Sequence, residues 1–268
     1  MSAPKKYTLV KSDTIKTWDG RKLFRIKAAV AIAALGIAKG DLGGYVESEA
    51  NLSQVYGNAW VSGNAQVYGN AWVSGNAQVS GNAQVYGDAQ VYGDAWVYGN
   101  AWVYGNARVY GDAQVYGNAQ VYGNARVYGN ARVYGDARVY GDARVYGNAR
   151  VYGDARVYGD AQVSGNAWVS GNAQVYGNAQ VYGNGQFGWH SHVGSENGTL
   201  TWFIQKDRTI LVNRGCFSGS LDAFRDAVEK RHGDSPHGQQ YQLLIQFIEI
   251  RAGEALKDFA PVEVEAAA

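Results

Sequence analysis

The chain has 268 residues, with 24 Lys/Arg against 23 Asp/Glu, a net charge of +1, 13% aromatic residues and one cysteine. A near-neutral balance gives no general electrostatic drive toward nucleic acid or a membrane surface. A single thiol excludes an internal disulfide and fits a reducing compartment, so a cytoplasmic location is expected.

Residues 1–52 carry nine Lys/Arg and five Asp/Glu, about +4. Residues 14–18 and 21–27 are predicted to form a hairpin around Asp19-Gly20. Residues 28–38 are apolar but far too short to span a bilayer, and they follow charged strands rather than a leader pattern. They are predicted as a short capping helix. Residues 40–46 then lead into the first coil.

From Ser53 to Asn184 one six-residue unit repeats: Ala, a variable residue, Val, Tyr or Ser, Gly, Asn or Asp. The Val recurs at every sixth position from Val55 to Val181, 22 times. In Ala125-Arg126-Val127-Tyr128, alternation sends Ala125 and Val127 to one face and Arg126 and Tyr128 to the other. Gly129-Asn130 supplies a bend, since both residues tolerate positive φ. A four-residue strand with a two-residue corner cannot pair as hairpins while keeping one face inside at every repeat. The chain must coil, and short units of this kind stack into a solenoid. The segment holds seven Arg and seven Asp, a balance of zero.

Residues 189–268 hold eight Lys/Arg and eleven Asp/Glu, about −3. Residues 200–205 and 209–214 are predicted as a second hairpin. Ser220 is placed to cap a helix whose Leu221, Phe224 and Val228 share a face, with Gly233 as its stop. Ser235-Pro236 opens another helix with Tyr241, Leu244, Ile245 and Ile248 on one face. Residues 253–268 are expected to be a frayed tail. The three parts are therefore a small cap over 1–52, a β-helix over 53–188, and an α+β cap over 189–268. Caps are needed because both end coils of a solenoid expose unpaired strand edges.

The spacing of small and branched apolar residues resembles the hexapeptide-repeat, left-handed parallel β-helix proteins. That resemblance implies an all-β solenoid with a triangular cross-section, three hexapeptides to a coil of 18 residues, and about seven coils. The residue after Val departs from the family pattern, being Tyr or Ser, with Gly one place later. The flanks, Gly40-Asp41-Leu42-Gly43-Gly44-Tyr45-Val46-Glu47 and Gly215-Cys216-Phe217-Ser218-Gly219-Ser220-Leu221 with His232-Gly233, are similar to bacterial and phage members of unestablished role. Some relatives carry a transferase label. The resemblance implies a phage or prophage origin more than a chemistry.

Enzymes of that family place a catalytic His near a coil or an excursion loop and bind coenzyme A between subunits. Here no His and no loop is read between Ser53 and Asn184, so no catalytic residue and no cofactor is assigned. Four His lie outside the repeat. His190 and His192 share a strand face by alternation, and Glu196 or His232 is the further ligand they would need; two His alone are a weak metal signal. Cys216 beside Phe217 is expected to be a buried structural thiol, with His232 the base it would need as a nucleophile. Asp94 stacks over Asp112, Asp136 over Asp154 and Asp142 over Asp160, a pattern that a shared turn preference explains without calcium.

The outward columns carry the stronger signal. Tyr68, Tyr86, Tyr104, Tyr122, Tyr140, Tyr158 and Tyr176 form a ladder on one face. Arg126, Arg132, Arg138, Arg144, Arg150 and Arg156 put an Arg on all three faces for two coils. Trp96 and Trp102 lie nearer the start. Tyr and Arg columns brace a strand stack, and Tyr, Trp and Arg also anchor interfaces. The partner-binding set is therefore Arg126, Arg132, Arg138, Arg144, Arg150, Arg156, Tyr104, Tyr122, Tyr140, Tyr158, Trp96 and Trp102. The expected function is a non-catalytic binding or scaffold protein whose partner is a host protein or a further copy of the chain. A phage product that neutralises a host factor is one concrete form. A hexapeptide acyltransferase and a single-strand nucleic-acid binder are the alternatives; the matched Arg and Asp counts weaken the second.

Overall fold

The computed structural model describes residues 5–55, 57–177, 179–183, 187–205 and 208–257. It divides into two compact units, Met1–Asn178 and Ala179–Ala268. The N-terminal segment belongs to the same unit as the coils.

In the first unit, Tyr7–Lys16 and Lys22–Ala28 pair antiparallel across the turn at residues 17–21. The first strand starts seven residues earlier than the hairpin signal suggests. The apolar run at 28–38 is not an α-helix: it contains a single 3-10 turn, Ala33–Leu35, closed by an Ile32–Ile37 bridge. Gly36 at φ 67 ends that turn, and β-branched Val30, Ile32 and Ile37 disfavour a longer helix. Leu42–Val46 pairs antiparallel with Lys22–Ala28 on one side and parallel with Gln66–Val67 on the other. It is the first rung of the solenoid, so this face has eight parallel rungs, counted by Val46, Val67, Val85, Val103, Val121, Val139, Val157 and Val175. The outer strand of that sheet, Tyr7–Lys16, is bulged between Val10 and Thr14 and carries Lys11 and Lys16 exposed, devices that block further edge pairing.

Each rung is shorter than the sequence suggests. Only the variable residue and Val form the strand, as in Arg126–Val127. The backbone ladder nevertheless runs through the corner: Arg126 N donates to Ala143 O at 2.9 Å, Tyr128 N to Val145 O at 3.0 Å, and Asn124 N to Gly141 O at 2.8 Å. Ala59 to Ala173 and Val61 to Val175 in the repeat are at most 1% exposed. Strands three hexapeptides apart pair in parallel, as Arg108↔Arg126↔Arg144 do, and this closes three faces around the Ala/Val core.

The corner is made by glycine alone. Gly129 sits at φ 66, and among the described residues no Asn or Asp of the repeat has positive φ. Asn instead ties neighbouring rungs together. Its side chain stacks on the next rung, Asn130 Nδ2 donating to Asn148 Oδ1 at 3.3 Å. Asp is accepted in the same column, as where Asn76 Nδ2 donates to Asp94 Oδ1 at 2.9 Å.

The repeat also starts later than its sequence. Val55 is 70% exposed, and Leu52, 1% exposed, bridges Val73 in its place. The first coil therefore has 21 residues rather than 18, Leu52 to Val73, with Val55 turned outward. Tyr7 holds this break: its hydroxyl donates to Leu52 O at 2.8 Å, and Gln54 Oε1 accepts from Lys6 N and Tyr7 N.

In the second unit Phe187–Val193, Gly198–Ile204, Ile210–Arg214 and Phe217–Ser220 form an antiparallel meander. The hairpin expected at 200–214 supplies its two middle strands. Helix α1, Leu221–His232, is capped by Ser220 Oγ accepting from Ala223 N, and Gly233 follows its last turn. Helix α2, Pro236–Lys257, runs on past residue 253; the tail from 258 lies outside the described residues. Leu200, Trp202, Ile204 and Val212 of the sheet meet Leu221, Phe224, Val228, Tyr241, Ile245 and Ile248 of the helices in one core. No helix among the described residues is long and apolar enough to cross a membrane.

Candidate partner-binding faces of the solenoid

The 18-residue coil sorts the variable residues into three columns. The first face reads Gln66, Gln84, Trp102, Gln120, Arg138, Arg156, Gln174. The second reads Trp60, Gln78, Trp96, Gln114, Arg132, Arg150, Trp168. The third reads Trp72, Gln90, Arg108, Arg126, Arg144, Gln162.

The sequence-predicted set is therefore not one site. Trp102, Arg138 and Arg156 share the first face with Tyr104, Tyr122, Tyr140 and Tyr158. Trp96, Arg132 and Arg150 lie on the second face, and Arg126 and Arg144 on the third. Together the six arginines make a belt around the coils. Trp60, Trp72, Arg108 and Trp168 stand in these columns outside the predicted set, and two of them extend it. Arg108 lies directly beside Arg126 and makes the third column three arginines long. Trp168 lies under the Arg150 guanidinium, 4.9 Å from its ring centre. Reading each face at a spacing of 18, rather than the chain at a spacing of six, finds both.

Tyrosines stack on all three faces. Tyr68 through Tyr176 form one ladder at ring-centre distances of 4.9 to 5.0 Å. Tyr92, Tyr110, Tyr128 and Tyr146 form a second, and Tyr98, Tyr116, Tyr134 and Tyr152 a third. The planes are nearly parallel, so each ring face in a ladder is covered by its neighbour and edges and hydroxyls face outward. Some hydroxyls reach the next rung, as Tyr158 does to Gln174 Oε1 at 3.3 Å. Burial pushes several of these phenols above the usual tyrosine value, Tyr86 up to about 12 with smaller contributions from Tyr68 and Tyr104.

The arginines do not share in this bracing. Among the described residues, Arg108, Arg126, Arg132, Arg138, Arg144 and Arg156 make no side-chain ion pair, hydrogen bond or cation–ring contact, and all six are exposed. The seven coil Asp stand at corners, outside ion-pair reach. Trp96 and Trp102 are exposed beside them, at 46% and 39%, while Trp60 is buried.

The remaining candidates fall in the second unit. The strand Phe187–Val193 is irregular between His190 and Val193, with His192 at φ 58, so simple alternation does not put the two histidines on one face. Burial lowers the His190 pKa; its Nε2 has no partner, and its ring meets Phe247 edge-on at 5.3 Å. No cluster of three metal-binding side chains occurs among the described residues. Cys216 is exposed, not a buried thiol, because it sits in the tight turn between Ile210–Arg214 and Phe217–Ser220.

Windows running from residue 53 to residue 177 match the family model described as the YdcK Beta solenoid repeat, among them 53–67, 83–99, 119–135 and 161–177. The chain is a repeat β-helix protein. The matched windows coincide with the coils and include neither the N-terminal strands nor the second unit. None of the curated proteins matches the chain.

Proposed function

We propose that this repeat β-helix is a non-catalytic binding or scaffold protein that presents its arginine columns, and the tryptophans and tyrosine edges beside them, to an acidic surface on a protein partner. The observation that carries the reading is the six idle guanidiniums. An exposed arginine with no internal ion pair, hydrogen bond or ring contact contributes little to the stack, whereas stacked like charges cost a little. Arg, Trp and Tyr are the residues that anchor interfaces, and a preformed charged column favours a complementary partner. The rigid ladders beneath hold the columns in place before binding, which lowers the ordering cost.

Base stacking fits less well, since the tyrosine faces already cover one another. The acyltransferase alternative finds no histidine between residues 53 and 184. The resemblance of the flanks to bacterial and phage proteins supports a phage or prophage product acting in a bacterial cell, and neutralising a host factor is its concrete form. The test is parallel capture from bacterial lysate on immobilised wild type and on R126Q/R132Q/R138Q/R144Q. We expect a stoichiometric acidic protein whose recovery falls at least about tenfold on the variant. Equal recovery on both would remove the belt from the interface.

A further inference from the structure

The second unit carries a cleft of about 190 Å³ that the belt does not use. Sheet, turns and both helices contribute to it. Arg214 ends the strand Ile210–Arg214, Cys216 follows in the turn, Glu196 comes from the turn before Gly198–Ile204, and Arg231 and His232 end α1. The apolar side is Phe217, Phe224, Val228 and Tyr241, with Phe224 5.1 Å from Phe217 and 5.5 Å from Tyr241 between ring centres.

Two backbone positions are shaped around the lining. A Cβ on Gly198 would meet Arg214 Nη1 at 2.5 Å, and a Cβ on Gly194 would meet the Tyr241 hydroxyl at 2.0 Å. Glycine at both sites lets the guanidinium and the phenol lie flat against the chain. Arg214 Nη2 donates to Val193 O at 2.7 Å, which fixes the plane of the fork, yet its Nε is buried with no acceptor. Among the described residues no carboxylate pairs with Arg214. Arg231 has only the long contact to Glu196, 3.8 Å, between two well-exposed side chains. With two arginines and one glutamate, the lining is short of one negative charge. Arg214 is half-buried, and a buried N–H left unfilled is costly, while a planar fork matches a carboxylate.

We propose that this cleft binds a small organic carboxylate, its anion set against Arg214 and Arg231 and its apolar body lying on Phe217, Phe224 and Tyr241. The volume lies below the roughly 300–1,000 Å³ of pockets that take drug-sized ligands, so the body is no larger than about one ring. An aromatic wall beside two cations suits an aryl carboxylate better than inorganic phosphate, which would leave the apolar wall unused.

Cys216 is the only thiol in the chain and lines the cleft, so it reports on occupancy. In the full-length protein its alkylation by iodoacetate is compared with that by neutral iodoacetamide; in each the thiolate forms the S–C bond and iodide leaves. A neutral cysteine amide gives the reference ratio. We expect the iodoacetate-to-iodoacetamide ratio to exceed the reference by about tenfold, one charge-assisted contact's worth. Phenylacetate should suppress the labelling saturably, and inorganic phosphate should not. R231Q removes an exposed side chain and should keep the fold while lowering the ratio; R214Q should lower it further if the variant stays folded by circular dichroism. A ratio equal to the reference, or labelling indifferent to phenylacetate, overturns the proposal. Equal protection by phosphate overturns the apolar half of it.

Discussion

Arg138 lies directly beside Arg156 across one parallel rung of the first face, and neither guanidinium meets a carboxylate among the described residues. Two like charges in that position repel and give the stack nothing. The double change R138Q/R156Q should therefore leave stability within about 1 kcal/mol of wild type. Gln already fills the column at Gln84, Gln120 and Gln174. Added salt should raise the wild-type melting temperature more than that of the variant, since it screens the repulsion. A variant that melts early at every salt concentration would show that the arginines brace the coil.

The division of labour at the corner is open to a paired test. Gly129→Ala puts a Cβ 3.1 Å from Gly147 N and 3.3 Å from Gly147 O on a residue at φ 66. The change should cost about 1–2 kcal/mol from left-handed strain alone. Asn130→Ala removes one exposed amide contact and should cost less than about 0.5 kcal/mol. Urea unfolding of both would decide it, and the reverse order would return the bend to Asn.

Alkaline titration reads the tyrosine ladders. Burial holds Tyr86, and less strongly Tyr104, Tyr122 and Tyr158, in the neutral form above the ordinary phenol value of 10.0. Above that value the unfolded chain has released protons that the folded chain still binds, so stability falls as pH rises. The contribution is whole below pH 10 and is lost toward pH 12, where Tyr86 titrates. Phenolate absorbance should rise late, and cooperatively with loss of the β signal. Early, independent ionisation would mean that the rings are solvated.

Leu52 and Val55 compete for one place in the core, and Leu52 holds it. Leu52→Ala should cost about 2–5 kcal/mol as a buried truncation. Val55→Ala, at an exposed site, should stay within about 0.5 kcal/mol. Equal effects in thermal melts would place Val55 in the core after all.

Much of the architecture follows from the repeat by itself. The alternation of Ala and Val sets the inward face, and the period of six sets the corners. What the pattern hides lies where tertiary contact overrides it. Val55 obeys the period yet is ejected, because Tyr7 and Gln54 tie the chain outward at that point. The apolar run at 28–38 is helical by composition, but its branched residues and Gly36 keep it from forming more than one turn. At the partner-binding faces the residue types are readable, whereas the free state of the guanidiniums depends on corner Asp standing out of reach, a distance that no one-dimensional pattern contains. The cleft is hidden for a similar reason. Arg214 and Cys216 are near neighbours in sequence, but Arg231 and His232 join them only when α1 folds back on the sheet.

The 21-residue first coil has a consequence for how the molecule reaches its native form. From Ala59 onward each rung offers the same Ala, Val and Gly to its neighbour, so sliding the stack by six residues would keep the core filled and change only which outward columns align. Such a sequence has many nearly equivalent alignments and no internal mark to choose among them. The mark is at the start. Asn51 Nδ2 donates to both Gly69 O and Ala71 O, and Leu52 takes the place over Val73 with Tyr7 closing above it. This contact can be made only once along the chain. It works as the origin of a ruler: later coils count from it, and the arginines come into line because the counting begins at the right place.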